Sequence, residues 1–592
     1  MGSELGITPD TKPEVKLDSV GIWWICWMCI WTILLLCGMG YLIRNRHSQT
    51  LRIRGLGLSL SAVVLLHLYW ISVQLLYALG PLIPAETEYW VMGIYLPLGI
   101  ALFHASNTRF LYVARAQQKF MHRTSKQPMQ TKRNLSIYGR FKKLDYTSRM
   151  IVCIAFGMGF QLFLTILMYL ISRKFHHSWG LPGTEVNGTE MEQKTEMGRG
   201  WEWWPSIFWQ FVWAWFVAPW VLWRSRKIND TQGWRVQTIG CAVASLHATP
   251  MWLIALYVPG MEAVNGYFVP PQWIAVSIWI LEILTVFVPC WEVRRATNLR
   301  QDTLNSIIQW ESKNKASSSS TKSSVNTAST VVETLMTGFK STAASMGNKS
   351  TTSVKSTDSK ESILTMSALE YVLERNPAPL QEFSSLRDFS GENVAFLTSV
   401  AEWKASLPKP ARDGTKDAST RELVRERYNS ALRIYSEFIG INDAEFPINI
   451  SSLELRKLET IFESQARALY GNKRKVDPAT PFAFGGSAGA IPNVATNSVE
   501  KSPVTAKERL NDDDTENDAD QERGDGVQFW GEIPEAFDGT VFDESEKHVK
   551  YLVLTNTWPR FVKDRRSSLQ LEHASETGRS IIQMVRNRHA RR

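Results

Sequence analysis

Hydrophobic residues are distributed very unevenly along the chain. The first half is close to continuously apolar, whereas the second half mixes apolar, polar and charged positions. A helix needs about 20 apolar residues to cross the hydrocarbon core of a bilayer. Segments of that length occur at about 21–43, 55–80, 89–113, 150–172, 202–223, 236–258 and 270–291. The pattern therefore predicts a seven-helix transmembrane region over residues 21–293, preceded by an extracellular segment, 1–20.

Helical periodicity returns in residues 362–568. Five apolar stripes recur there at helical spacing, one of them formed by Phe396, Leu397, Val400 and Trp403, and no alternation with a period of two accompanies them. The sequence thus predicts an all-α fold class: an N-terminal seven-helix transmembrane bundle followed by a cytoplasmic all-helical bundle.

Three further segments have compositions that cannot bury enough apolar surface to fold alone. Residues 294–361 are rich in Ser, Thr and Lys and are predicted to be a cytoplasmic linker. A Gly/Ser/Pro-rich stretch followed by an acidic run, at about 471–528, is predicted to be a disordered insertion within the helical bundle. Residues 569–592 form a basic C-terminal tail.

Charge indicates orientation rather than nucleic-acid binding. The formal net charge is +9, but the Lys and Arg residues concentrate in the first, third and fifth loops between the apolar segments. By the positive-inside rule these loops are cytoplasmic, so the N-terminus lies outside and the C-terminus inside. The sequon at Asn187 then faces the lumen and is a candidate for glycosylation. We expect a multi-pass protein of the plasma membrane, with an endosomal membrane as the alternative.

All six cysteines lie within apolar segments. No loop cysteines remain to form a disulfide framework or a zinc site. Cys26 and Cys29 have the spacing of a C-x-x-C motif but are more consistent with helix packing than with redox or metal chemistry. We expect neither a metal nor a cofactor.

Four ionisable side chains stand out within the predicted spans, namely His67, His104, His247 and Glu282. Polar groups at membrane depth are costly when unpaired and are often functional. Glu282 and His247 could pair, line a cavity for a small-molecule ligand or hydrogen-bond across a helix interface. We favour the structural role.

Three blocks in the second half resemble, in order, the signature blocks of the regulator of G-protein signalling (RGS) domain. They are "LQEFSSLRDFSGENVAFLTSVAEWK" (380–404), "IYSEFIGINDAEFPINISS" (434–452) and "FDESEKHVKYLVLTNTWPRFVKD" (542–564). The seven spans in front resemble the arrangement of receptor-like RGS proteins of plants and fungi. The resemblance implies an RGS domain over 362–568 that attenuates signalling by accelerating GTP hydrolysis on a heterotrimeric G-protein α subunit. The hydrolytic chemistry would belong to that subunit, so the chain itself would not be an enzyme.

The resemblance also implies functional positions. Asn449 matches the asparagine that lies against the α subunit's catalytic glutamine, where a neutral amide can both donate and accept hydrogen bonds. The other implied contacts to the α subunit are Phe389, Glu392, Asn393, Leu552, Asn556 and Arg560. The chain departs from the family pattern at Gly391, where an acidic residue is common, and at Asn556, where aspartate is usual. Loss of a charge-assisted hydrogen bond at Asn556 would weaken or retune activity.

Each position also has a structural alternative. Asn393 could cap a helix, Asn449 could close an Asx turn, and Arg560 could form an internal ion pair. Two competing functions also remain open at this point. One is an RGS-like scaffold that binds partners without accelerating hydrolysis, and the other is a receptor or transporter whose main activity is ligand recognition by the seven spans.

Overall fold

The computed structural model describes residues 12–121, 146–176, 179–317, 363–406, 418–440, 444, 446–470 and 528–568. Within these residues the regular elements are helices, apart from one isolated β-bridge between Ser172 and Leu181. The all-α fold class is thereby confirmed. The predicted insertion, the basic tail and most of the predicted linker lie outside the described residues.

The chain divides into two compact units. Of the described residues, the first unit holds those up to 301 together with Ser385–Phe389, and the second unit holds the rest.

The first unit contains seven helices that are long and apolar enough to cross a membrane, as the sequence predicted. Spans 1 to 7 are Ser19–Arg44, Leu56–Leu79, Glu86–Phe120, Ser148–Ile171, Trp201–Ser225, Trp234–Tyr257 and Gln272–Gln309. In the most apolar 18-residue stretches of spans 1, 4 and 5, only 22%, 17% and 28% of the stretch is buried. So much exposed apolar surface is incompatible with water but suits lipid. The chain is therefore a multi-pass membrane protein.

Spans 2 and 3 pack closely against each other. A Cβ on Gly99 of span 3 would lie 2.8 Å from Cδ2 of Leu66 in span 2, so only glycine permits this contact. At the start of span 2, Gly55 has a φ of 69° and a Cβ there would meet Nε of Arg109 at 2.8 Å. That same Nε donates to the carbonyl of Ile53 at 3.1 Å. The backbone entering span 2 is thus fixed by a side chain of span 3.

Three of the spans contain a π-helical turn, in which one extra residue shifts the side chains that follow. These turns are Val91–Tyr95 in span 3, Trp213–Val217 in span 5 and Ile283–Phe287 in span 7. The connecting segments contain short helices at Gln49–Arg52, Glu190–Met197, Pro259–Met261 and Glu262–Asn265. The last helix of span 7 continues as Val288–Ser317 into the segment predicted to be the linker.

The second unit is built from helices α1 to α6. They are Met366–Arg375, Ala378–Phe383, Gly391–Ala405, Ala418–Ile434, Ser452–Tyr470 and Asp543–Leu552. Helix α4 ends in the π turn Tyr435–Ile439 and α6 in the π turn Val553–Thr557, after which residues 558–568 are helical. The helical periodicity of residues 362–568 is therefore confirmed within the described part of this range.

Aromatic rings form the core of the second unit. Phe396 of α3 lies 6.0 Å from Phe438 and 6.2 Å from Phe542, measured between ring centroids. Phe462 of α5 stacks on Phe542 at 5.8 Å. Edge-to-face and stacked aromatic pairs of this kind each contribute about 0.5–1.5 kcal/mol beyond their buried area. The core thus joins residues that are far apart in the sequence.

Candidate functional site

The three sequence blocks meet in the second unit. Phe396 belongs to the first block, Phe438 to the second and Phe542 to the third, and their rings share one core. The first and third blocks are also joined by a buried hydrogen bond between the hydroxyls of Ser390 and Thr557, at 3.1 Å. The fold therefore brings together segments that the chain separates by long intervals.

Lys404, at the edge of this core, links α3 to α6. Nζ of Lys404 donates to Asp543 at 2.5 Å and to Glu546 at 2.6 Å, and Lys550 pairs with Glu546 at 2.9 Å. Burial alone raises the pKa of Glu546, but its hydrogen bonds to Lys404 and Lys550 outweigh burial and hold the pKa below its ordinary value. The carboxylate is therefore ionised at neutral pH and fixes the position of α6 against α3.

Asn449 lies in the loop before α5 and its side chain is exposed. On one side, the backbone N–H of Ile448 donates to the carbonyl of Phe438 at 2.8 Å. On the other side, Ser451 and Glu454 exchange side-chain and backbone hydrogen bonds at the start of α5, which is a capping box. The amide of Asn449 has no hydrogen bond to another described residue, so no Asx turn is formed with them. A loop held by hydrogen bonds on either side thus presents this amide to solvent.

Leu552, Asn556 and Arg560 follow one another at intervals of four residues along the last helical segment. All three are half-buried. Side chains four residues apart in a helix lie near one face. Between Asn556 and Arg560, Trp558 is fully buried and its Nε1 donates to the carbonyl of Ile363 at 2.9 Å. Trp558 anchors the segment that carries the three predicted contacts.

Phe389, Glu392 and Asn393 are only 1%, 4% and 5% exposed. Phe389 has a φ of 52°, unusual for a bulky side chain. Helix α3 has Ser390 as its N-cap residue, so the structural alternative in which Asn393 caps a helix is wrong. Instead, Nδ2 of Asn393 donates to Oε1 of Glu392 at 3.3 Å. Their role in binding an α subunit stays a prediction, and direct contact requires these side chains to become accessible.

The two departures from the family pattern occupy different surroundings. Gly391 is the first residue of α3, and its carbonyl accepts a hydrogen bond from Nε2 of Gln381 at 3.1 Å. Asn556 lies within the π turn Val553–Thr557 and is accessible enough to contact a partner.

A polar cluster joins spans 1, 2 and 7 in the first unit. Oε2 of Glu282 accepts a hydrogen bond from Nε1 of Trp31 at 2.6 Å, and Oε1 lies 2.9 Å from Nδ1 of His67. The hydroxyl of Thr32 lies 3.1 Å from Nε2 of the same histidine. Glu282 therefore hydrogen-bonds across helix interfaces, and its partners are Trp31 and His67 rather than His247. Sequence reasoning missed Trp31, although a buried indole N–H usually finds an acceptor.

His104 belongs to a separate site. Its ring stacks on Trp213 with the ring centroids 5.1 Å apart, and both side chains line a cavity among spans 2, 3, 5, 6 and 7. Neither Glu282 nor His247 lines this cavity. The cavity that could hold a ligand is therefore lined by His104, and not by His247 as the sequence suggested.

Within the described residues, no group of His, Cys, Asp and Glu side chains is arranged to hold a metal ion. Comparisons of the chain with protein-family models, with curated proteins and with solved structures find no match.

Proposed function

We propose that the chain is a membrane-tethered regulator of G-protein signalling, whose second unit binds a heterotrimeric G-protein α subunit and accelerates its GTP hydrolysis. One observation carries the proposal: the three RGS-like blocks pack around a common core while Asn449 is exposed on the loop before α5. A chance resemblance in three short segments would not require them to converge. Leu552, Asn556 and Arg560 supply a further accessible face.

The proposed mechanism acts through the geometry of the α subunit. That subunit carries its own transition-state arginine and a glutamine that orients the attacking water. A surface that is complementary to the activated switch regions lowers the barrier because it binds the transition state more tightly than the ground state. The amide of Asn449 would hold the glutamine by donating and accepting hydrogen bonds. Being neutral, it adds no charge that competes with the phosphate.

The seven spans would tether this activity to the membrane that carries the α subunit. Confinement to one surface raises the effective concentration of two lipid-associated partners without any new contact. In the proposed orientation the N-terminus is outside, the C-terminus is cytoplasmic and the membrane is the plasma membrane. Asn187 is exposed in the long segment between spans 4 and 5, which the positive-inside rule assigns to the lumen, so its glycosylation would test that orientation.

The decisive experiment is single-turnover GTP hydrolysis by a partner α subunit in the presence of the full chain. Asn449→Ala should remove most of the acceleration, about 100-fold if the amide acts like other positioned donors. Asn376→Ala is the matched control, since Asn376 is also exposed but lies outside the three blocks. Unchanged acceleration with Asn449→Ala would rule out the mechanism.

Binding separates this function from a scaffold. The full chain should bind the α subunit with GDP and aluminium fluoride, a transition-state mimic, more tightly than the same subunit with GDP alone. Equal binding to the two forms, without acceleration of hydrolysis, would favour the scaffold.

A further inference from the structure

The cavity beside His104 has a volume of about 40 Å³. Most of its wall is aliphatic or aromatic, but five polar side chains reach it: His104, Gln210, Ser245, Thr249 and Ser277. They come from spans 3, 5, 6 and 7. Since roughly 10–15 Å³ suffice for one water molecule, the space corresponds to about three waters.

Three of these polar side chains lack a hydrogen-bond partner among the described residues. His104, Gln210 and Thr249 are 4%, 5% and 2% exposed, and none of them forms a hydrogen bond with another described residue. Buried polar groups are almost always hydrogen-bonded, to protein or to ordered water, and a small molecule that offers the same donors and acceptors can take the place of such water. Three such groups around one cavity therefore indicate that a hydrogen-bonding molecule occupies the cavity in the functional protein.

The other two polar groups define what a guest would encounter. The hydroxyl of Ser245 donates to the carbonyl of Cys241, and that of Ser277 donates to the carbonyl of Ala244, each at 2.9 Å. Both oxygens retain lone pairs that can accept. The imidazole of His104 and the carboxamide of Gln210 each offer a donor and an acceptor. A guest that both donates and accepts hydrogen bonds fits this set.

The charge of the lining and the size of the cavity further restrict which molecules could bind in it. Among the described residues, no Asp, Glu, Lys or Arg lines the cavity, and Glu282 is already hydrogen-bonded to Trp31 and His67. An ion at this depth would have no counter-charge, which makes its burial very costly. The volume is far below the roughly 300–1,000 Å³ of drug-sized sites. The guest is therefore neutral and has only a few heavy atoms.

The backbone around the cavity contains π turns. Trp213 and Ala214 begin the π turn of span 5, and Leu96 directly follows the π turn of span 3. Such turns occur frequently at functional sites. Because Trp213 stacks on His104 with the two rings only 12° from parallel, a guest that moves this imidazole also acts on span 5.

We infer that this cavity is a binding site for a small uncharged molecule with hydrogen-bond donors and acceptors, of the class of short amides and diols. The site lies wholly within the first unit and does not depend on the proposed function of the second.

Acetamide and ethylene glycol are suitable probes, added to the full chain in lipid nanodiscs. A guest that binds only the folded protein raises the melting temperature, Tm, in a saturable way. Gln210→Leu and Thr249→Val keep the shape of the side chains but remove their hydrogen bonds, and each should weaken the apparent affinity about tenfold. Thr238→Val is the matched control, because Thr238 is buried in the same span but bonds to the carbonyl of Trp234. It should leave the affinity unchanged.

Two results would overturn the inference: no saturable shift in Tm with either probe, or equal shifts in the native chain and in the Gln210→Leu and Thr249→Val variants. If those variants do not fold, saturation-transfer NMR of acetamide on the native chain decides. Transfer that excess ethylene glycol abolishes supports the site, whereas absent or uncompeted transfer refutes it.

Discussion

Replacement of Trp558 tests how the last helical segment of the second unit is held in place. The side chain is fully buried, donates to the carbonyl of Ile363 at 2.9 Å and stacks on Phe561 at 5.5 Å. Trp558→Phe keeps an aromatic ring but leaves that buried carbonyl without its donor, which costs about 1–3 kcal/mol. Trp558→Ala also removes the ring and should cost about 3–5 kcal/mol.

Hydrogen exchange of the full chain in nanodiscs measures this cost. The amides of α3 should exchange faster in Trp558→Phe by about 5- to 150-fold, since each 1.4 kcal/mol of opening free energy is tenfold. Trp530→Phe is the control, because Trp530 is 56% exposed and its replacement should change the free energy by no more than about 0.5 kcal/mol. If exchange in α3 were the same for the Trp558→Phe and Trp530→Phe variants, the anchoring role of Trp558 would be wrong.

Three further predictions concern other parts of the chain. The pKa of Glu546 is lowered in the folded protein, so this group stabilises the fold above its ordinary pKa of 4.5 and the contribution is lost as the pH falls through the folded value. Glu546→Gln should lower the free energy of unfolding by about 0.5–1 kcal/mol at pH 7. It should also reduce the fall in Tm that the native chain shows below pH 4.5. An unchanged dependence of Tm on pH would contradict the lysine contacts. Gly55→Ala should destabilise the fold by at least about 1–2 kcal/mol because Gly55 has a positive φ. Gly40 has open space around it, so Gly40→Ala should leave Tm in detergent unchanged. Equal effects of the two substitutions on Tm would refute the steric reasoning. Asn187→Gln should abolish an endoglycosidase-sensitive gel shift of the native chain, and the absence of any shift in the native chain would count against the proposed orientation.

Local pattern was sufficient for the elements themselves. The seven spans follow from runs of apolar residues, because a helix in lipid must satisfy its own backbone hydrogen bonds and present apolar side chains. The least accurate limits concern spans 3 and 7, predicted at about 89–113 and 270–291 but observed as Glu86–Phe120 and Gln272–Gln309. Backbone hydrogen bonding continues beyond the bilayer through polar residues, so the apolar run marks the membrane rather than the end of the helix.

Long-range contacts were decided only by the tertiary structure. Trp31 and Glu282 are 251 residues apart, and no periodicity relates them, so the sequence could name a buried carboxylate but not its partner. The same holds for the cavity beside His104, whose polar side chains come from four different spans. Burial of Glu392 and exposure of Asn449 also depend on how the elements pack. Sequence by itself determined which segments are helical and apolar, because those properties depend on neighbouring residues, whereas the sites depend on which helices meet.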